Sequence, residues 1–539
     1  MRSAGWLDKD YVVVSSYRNN IAGDLYINTS TLKWNAFANC TKLTNVYLGP
    51  SVTSVYAGSF EGCTGLQTFK ATNLTSLYTS MFEGCTSLTT VDAPKVVSIS
   101  ADAFNGCSKL ATVSFGAVTE IGSEAFYGCT SLQSLPSELF DSAKVGTGAF
   151  SGCTELSSVD FTKISTLNTD AFSGCTKLTE ANLSHITSIG DSAFEGCVNL
   201  KNVVVGRNLT QLGDNVFKDC DSLNTNLKDS IYYLGDGVDD LYIIAIKVSS
   251  TTKTNYVLDA NVMHLNSDLF DGCNKMTTLE IPETLTTIGR NAFNNCSALK
   301  NMYIPENVTR IGYGAFFYCD GITSIGPHGS GCDIELPIRT EWGWWFNYCD
   351  GLTTVIVPEG VKTLRRTFQS SKALKNVTLP DSLTSFSYAF DSCTGIKSIG
   401  PRGSGAQVEL PAGITEISNS AFSMCHLTSI IFPETLTSID SFSIHYNDLT
   451  TYVFPESLQY IGDYSIGDNS KLKTMYIGSN LKSIGKYAFR SLSGLTHVYY
   501  DGTMAQWNAI SKGTQWNIGC KQFTVVCTDG NIIVPANQK

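Results

Sequence analysis

The chain has 539 residues, of which 42% are hydrophobic and 16% charged, the composition of an ordinary packed protein. Its formal net charge of −11 argues against a nucleic-acid backbone as partner, because that role needs a basic surface. It has no apolar run of about 18 residues, the least that a membrane-spanning helix needs.

In chain order, the segment Met1-Arg2-Ser3-Ala4-Gly5-Trp6-Leu7-Asp8-Lys9-Asp10 lacks the apolar centre of a secretion signal. Strands are expected at 11–14 and 24–27, inside an N-terminal cap spanning 1–33. A repeat starts at Trp34. In Leu43-Thr44-Asn45-Val46-Tyr47-Leu48 the apolar residues fit a short strand whose alternate side chains point inward. Val52-Thr53-Ser54-Val55 reads as a second extended piece. Ala57-Gly58-Ser59-Phe60 reads as a turn of helix that carries Phe60 into the core, closed by Gly62.

The cysteines mark the period. Cys63, Cys85, Cys107 and Cys129 fall 22 apart, and after a step of 24, Cys153, Cys175, Cys197 and Cys220 continue at 22 or 23. A fixed period of this size predicts a solenoid, a chain that grows by adding coils instead of splitting its core. About 19 coils at a spacing of ~4.8 Å predict an arc roughly 90 Å long. Cysteines at one register read as buried free thiols acting as small hydrophobes. There is no C-x-x-C, so zinc and redox motifs lack their spacing. Cys520 and Cys527 stand outside the ladder and are placed to pair across a hairpin.

The first repeat block spans 34–220. Residues 221–265 interrupt it as a hairpin-like excursion, with extended pieces at 232–237, 241–248 and 254–258 and Val238-Asp239-Asp240 at one end. A second block, 266–499, carries twin Gly-rich insertions, Gly326-Pro327-His328-Gly329-Ser330-Gly331 and Gly400-Pro401-Arg402-Gly403-Ser404-Gly405. Neither is followed by the Lys-Ser/Thr helix of a phosphate loop. Residues 500–539 read as a C-terminal cap, a short helix and then a closing hairpin.

The run Ile186-Thr187-Ser188-Ile189-Gly190-Asp191-Ser192-Ala193-Phe194-Glu195-Gly196-Cys197 recurs along the chain, and Gly502-Thr503-Met504-Ala505-Gln506-Trp507 follows the last copies. Over residues 34–500 these units resemble the BspA-type leucine-rich repeat proteins. The resemblance implies a curved, right-handed leucine-rich repeat solenoid with short parallel strands, turns or short helices in each coil, and capped ends. It also implies an extracellular or cell-surface location and adhesion to a host or matrix protein, a neighbouring cell or a glycan. It names no ligand, because fold does not fix function.

Chemistry is sparse. The six histidines form no H-E-x-x-H pair, and neither a G-x-S-x-G elbow nor a Walker loop occurs. The expectation is a non-enzymatic protein without cofactor or metal. The alternatives are a structural spacer or stalk, including a phage fibre-type receptor-binding part, and, ranked last, a hydrolase in 221–272, where His264 is the single histidine.

Binding is sought first at the fifth residue of each L-x-x-V-x-L strand, which alternation turns outward. That column reads Tyr47, Lys70, Asp92, Ser114, Asp160, Asn182 and Val204, then Glu280, Tyr303, Ile356, Thr378, Ile431, Val453, Tyr476 and Tyr499. It passes from mostly polar to mostly apolar or aromatic. Either Tyr303, Ile356, Ile431, Tyr476 and Tyr499 make a partner surface, or β-branched and aromatic residues simply favour strands. A second candidate is Trp342 and Trp344 with Arg365 and Arg366, where two neighbouring coils depart from the pattern and Trp345 takes the usual Ala slot. Those groups suit a glycan or an acidic partner, unless the indoles only fill space beside the first insertion.

Overall fold

The computed structural model describes residues 20–136, 140–237, 241–326, 341–400 and 408–537. Expectations for 11–14, for 238–240 and for the two Gly-rich insertions beyond Gly326 and Gly400 lie outside them. The chain forms two compact units, Met1–Ile246 with Asn261–Ser267, and Lys247–Ala260 with Asp268–Lys539.

Most coils in the first unit supply one long and one short parallel strand, and at Ser134 and Ser158 the long strands shrink to an isolated bridge. Alternation fixes the register of the long ones. Val46, Phe69, Val91 and Val113 lie opposite one another in Lys42–Leu48, Thr68–Ala71, Thr90–Asp92 and Thr112–Ser114. All four side chains are buried, whereas Lys70 and Ser114 in the next column are exposed and Tyr47 and Asp92 half-buried. A one-residue slip would turn this whole column outward. Ala22–Ile27 already pairs in parallel with Lys42–Leu48, so the coil is under way before Trp34. The short strands, such as Ser76–Leu77, Ser98–Ile99 and Val118–Ile121, line up in a seven-stranded sheet of their own.

The link from short strand to long strand is a turn, and here the expectation of a helical turn is corrected. In the coil around Phe194, Ser192 (φ 53°) and Gly196 (φ 74°) are left-handed. A right-handed helix cannot run through such residues. The backbone bonds across coils instead: Ser192, Phe194 and Gly196 N–H donate to the carbonyls of Asp214, Val216 and Lys218 at 2.8–3.0 Å. Among the described residues the one α-helix is Met504–Ala509.

Two ladders fill the interior. Phe37, Phe60, Phe82, Phe104, Phe126, Phe150, Phe172, Phe194 and Phe217 stack with ring centroids 5.0–5.9 Å apart. Beside them, each cysteine thiol from Cys63 to Cys220 donates to the carbonyl of the turn Phe one coil earlier, as Cys197 does to Phe172 at 3.2 Å and Cys220 to Phe194 at 3.0 Å. The thiols are buried and free, as read from the sequence. Burial pushes Cys153 and Cys197 up to about 12, so neither is a thiolate near neutrality.

The interruption is built from ordinary sheet chemistry. Asn226–Lys228 runs antiparallel to Ile231–Gly235 through Asp229-Ser230, both at positive φ, the two-residue loop that matches strand twist. Ile231–Gly235 neighbours Tyr242–Val248, which then pairs in parallel with His264–Leu265. His264 is fully buried with Nε2 3.1 Å from the Leu209 carbonyl, a structural contact.

In the second unit the ladders resume. Phe270, Phe293, Phe316, Phe346, Phe368, Phe390 and Phe422 stack at 5.2–5.9 Å. The cysteine slot varies while its bond persists. Ser371 Oγ donates to the Phe346 carbonyl at 2.6 Å, Asn447 to Phe422 at 2.8 Å and Asn469 to Ile444 at 3.0 Å. Cys520 bonds the Phe489 carbonyl at 3.0 Å, and both it and Cys527 are free, so the hairpin is not cross-linked. That hairpin, Phe523–Cys527 with Gly530–Val534, closes the long-strand sheet against His497–Tyr500. The helix Met504–Ala509 starts on a Thr503/Gln506 capping box and buries Trp507.

Stacking also sets like charges side by side. Asp440 follows the strand Ser438–Ile439, whose neighbour Glu416–Ile417 brings up the Glu416 carboxylate. Burial first, and Glu416 next, raise the Asp440 carboxyl to about 6. The folded chain thus holds this proton more tightly than the unfolded chain. That contribution to stability is complete below 3.8 and lost as pH rises through about 6. Asp440→Asn should therefore raise the melting temperature relative to the native chain above about pH 6, with the gap closing on acidification. For the thiol ladder, Cys197→Ser keeps a donor, as Ser371 does, and should change stability by less than about 1 kcal/mol. Cys197→Val leaves the Phe172 carbonyl short of a donor and should cost about 1–3 kcal/mol, read by hydrogen exchange around the coil.

Candidate binding surface

The long strands build the first candidate. In the first unit its outward column is mixed: Tyr47 stacks on Tyr26 at 4.8 Å, followed by Lys70, Asp92 and Ser114. Asp160 is not on a strand. It caps the short 3-10 turn Phe161–Lys163, and its bonds from Thr162 hold its carboxyl below the usual range.

In the second unit the column becomes apolar toward its C-terminal end. Ile431, Val453 and Tyr476 are 51%, 62% and 43% exposed. Val453, Tyr476, Tyr499 and Val526 stand opposite one another in register, and Tyr476 and Tyr499 stack at 4.8 Å. Earlier members do not join this row. Ile356 is half-buried opposite Thr378 and then Gly400. Tyr303 is half-buried, and its hydroxyl donates to Glu283 Oε1 at 2.6 Å. That carboxylate pushes the phenol up to about 12.

The second candidate sits at the corner after the short strands. Arg366 lies between two aromatic faces, its guanidinium carbon 4.3 Å from the Trp344 ring centroid and 4.2 Å from that of Tyr388. Tyr313 lies 5.0 Å from Trp344 on the preceding coil. Arg365 is exposed at the end of the strand Thr363–Arg365. Trp345 is buried in the slot that Ala fills elsewhere, which accounts for one indole as packing. Trp342 belongs to the strand Glu341–Gly343, and its side chain lies outside the described residues.

The sequence reading missed Tyr388 and Tyr313 as members of this corner, and missed its rule. The residue two before the turn Phe is always left-handed. In the first unit it is Asn35, Gly58, Ser80, Asp102, Gly148, Asp170, Ser192 or Asn215, residue types that tolerate that backbone, and once Glu124. In the second it is Asp268, Asn291, Gly314 and Ser420 in four coils, but Trp344 (φ 48°), Arg366 (φ 50°) and Tyr388 (φ 51°) in three successive ones and Phe442, Tyr464 and Tyr487 (φ 57–59°) in three more. A left-handed backbone costs such residues roughly 1–2 kcal/mol each. The last three stack at 4.8 and 4.7 Å, contacts that offset part of it. Aligning the copies at the turn Phe and reading two positions back is the signal that finds them.

Two grooves complete the surface. One of about 590 Å³ in the first unit is lined by Val159, Phe161, Asn182 and Val204. One of about 760 Å³ in the second is lined by Met424, His426, Tyr446 and Asp448. Near it, His445 pairs with Asp468 at 2.9 Å, with Arg490 3.7 Å from the same carboxylate; burial lowers the His445 pKa. Among the described residues no group of three or more His, Cys, Asp or Glu side chains is placed to hold a metal. No helix there is long and apolar enough to cross a membrane.

The family description "BspA type Leucine rich repeat region (6 copies)" matches residues 24–133, 119–238, 248–331, 343–405 and 404–511. No curated protein matches the chain. Among solved structures it is similar to a leucine-rich repeat protein from Bacteroides ovatus, at 19% identity over 93% of this chain and 92% of that one, with a TM-score of 0.29. A leucine rich cell surface protein from Faecalibacterium prausnitzii aligns at 17% identity over 94% of each chain, TM-score 0.26. The pneumococcal vaccine antigen PcpA aligns at 16% over 68% of this chain and 77% of that one, TM-score 0.30.

The left-handed corner has its own test. Tyr464→Asn keeps a residue that tolerates positive φ, whereas Tyr464→Ala does not. The Asn variant should be the more stable of the two by about 1 kcal/mol, measured by denaturant unfolding.

Proposed function

The chain belongs to the BspA-type leucine-rich repeat family, and from that premise we propose that it is a non-enzymatic recognition protein of the cell surface that binds a host or matrix protein or a glycan through its solenoid. One observation carries the reading. The outward column of the second unit's long strands comes to include a row in register, Val453, Tyr476, Tyr499 and Val526, in which Val453 and Tyr476 are exposed and Tyr499 half-buried, with Ile431 exposed on an earlier coil. Strand propensity explains a Tyr or a Val on a sheet. It does not explain Ile431, Val453 and Tyr476 left exposed close to the Tyr476–Tyr499 stack, a pattern that marks partner surfaces. Tyr is favoured there because one stiff side chain brings both apolar area and a hydroxyl.

Recognition by a rigid sheet face needs no cofactor. Among the described residues the thiols are buried and His264 makes a structural contact, so the reading gives neither a chemical role. A Tyr303/Tyr476/Tyr499 triple alanine variant should keep the native fold and melt within a few degrees of it, since none of the three side chains is in the core and what is lost is the Tyr476–Tyr499 stack and the Tyr303–Glu283 bond. Screened on matrix-protein and glycan arrays, it should lose at least about ten-fold in affinity for whatever the native chain binds. Equal binding by both removes the row as the contact surface.

A further inference from the structure

We propose that the corner formed by Trp344, Arg366 and Tyr388 binds a carboxylate-bearing peptide segment of a partner protein, with the Arg366 guanidinium as anchor. This is a separate site from the tyrosine row, which lies on the long strands.

The corner is a concerted change over three successive coils. In the coil before it, four residues, Gly312-Tyr313-Gly314-Ala315, join the inward strand residue Ile311 to the turn residue Phe316. In the next three coils the join has three: Gly343-Trp344-Trp345, Arg365-Arg366-Thr367 and Ser387-Tyr388-Ala389. Strand register is kept throughout, with Trp342 opposite Leu364 and Leu364 opposite Phe386. The shortened corner sets three large side chains at left-handed residues where the first unit, Glu124 apart, uses glycine or small polar residues. Backbone strain held at three neighbouring positions points to a use for the side chains.

Their arrangement says which use. Both faces of the Arg366 guanidinium are covered, by Trp344 and by Tyr388. Its N–H donors therefore point outward only in the plane of the group, in the fork that matches a carboxylate. The side chain is half-buried, and among the described residues no carboxylate forms an ion pair with it. Stacking removes much of the rotational freedom that binding would otherwise have to freeze. Arg365, exposed on the same coil, adds a second positive charge on a chain whose net charge is −11. An acidic segment is thus drawn to this spot and repelled by much of the remainder.

Ring geometry favours a peptide over a sugar. A pyranose needs an open aromatic face, and the faces of Trp344 are taken by Tyr313 and Arg366. What remains is a guanidinium fixed between a Trp and a Tyr, the composition of a protein–protein hot spot.

The test uses the full chain and a fluorescent peptide of alternating glutamate and glycine, read by anisotropy at low ionic strength. A matching peptide with glutamine in place of glutamate and an oligogalacturonate serve as the other two probes. The glutamate peptide should bind at least about ten-fold tighter than the glutamine peptide. Arg366→Gly, the residue the first unit itself uses at Gly58, should abolish that preference without lowering the melting temperature. Arg366→Lys keeps the charge but loses the planar fork and should weaken binding several-fold. The Tyr303/Tyr476/Tyr499 triple alanine variant should bind the peptide as the native chain does, which separates this site from the sheet row. Equal binding of the glutamate and glutamine peptides overturns the proposal. So does unchanged binding by Arg366→Gly, or binding of oligogalacturonate alone, which would make the corner a sugar site.

Discussion

A buried carbonyl at the turn phenylalanine must find a donor in every coil, and much of the molecule follows from that need. The carbonyl already accepts the N–H three residues on, as Phe194 does from Cys197. Its remaining lone pair faces the interior, where water is absent and an unmet acceptor is costly. The next coil answers with the one side chain that reaches it. A thiol suffices in most coils, since it donates weakly while packing as a hydrophobe. Where Ser371, Asn447 or Asn469 stands instead, the bond is kept and the chemistry around it shifts. The phenylalanine stack beside this ladder supplies apolar burial, and the ladder holds the stack to one spacing.

That constraint makes the fold legible in the sequence. Cys197 and Phe194 can be three apart in every copy only if every copy bends alike, so the beat of the cysteines reports a repeated backbone. The inward column of Val46, Phe69 and Val91 follows from alternation. The helical reading of the turn failed for a reason equally physical. Ala, Phe and Glu in a row have good helix propensity, but the residue before them and the glycine after them are left-handed, and tertiary bonding between coils overrides local preference.

The candidate surfaces were legible in part. The outward column could be read because a strand has a fixed period, and its burial differs between Tyr303 and Tyr476 only through neighbours the pattern does not name, such as Glu283. Trp344 and Arg366 stood out as irregular. Tyr388 did not, because a tyrosine before Ala-Phe looks ordinary until the turn is counted and found one residue short. Cation–aromatic sandwiches join residues about 22 positions apart in sequence, and only the stacking of coils brings them into contact.

The thiol ladder has a further consequence for how the chain lives. Most of the described sulfurs are spent on a carbonyl and all are buried, so among the described residues the folded state holds no disulfide. Once a coil comes undone, the same atoms emerge as ordinary reactive thiols at a fixed interval along a loose chain. In oxidising surroundings such a chain would knot itself through mismatched bridges before the coils could close again. Durability outside a reducing compartment therefore rests on never opening, and a stack that nucleates early and frays little is the form best placed to meet that demand.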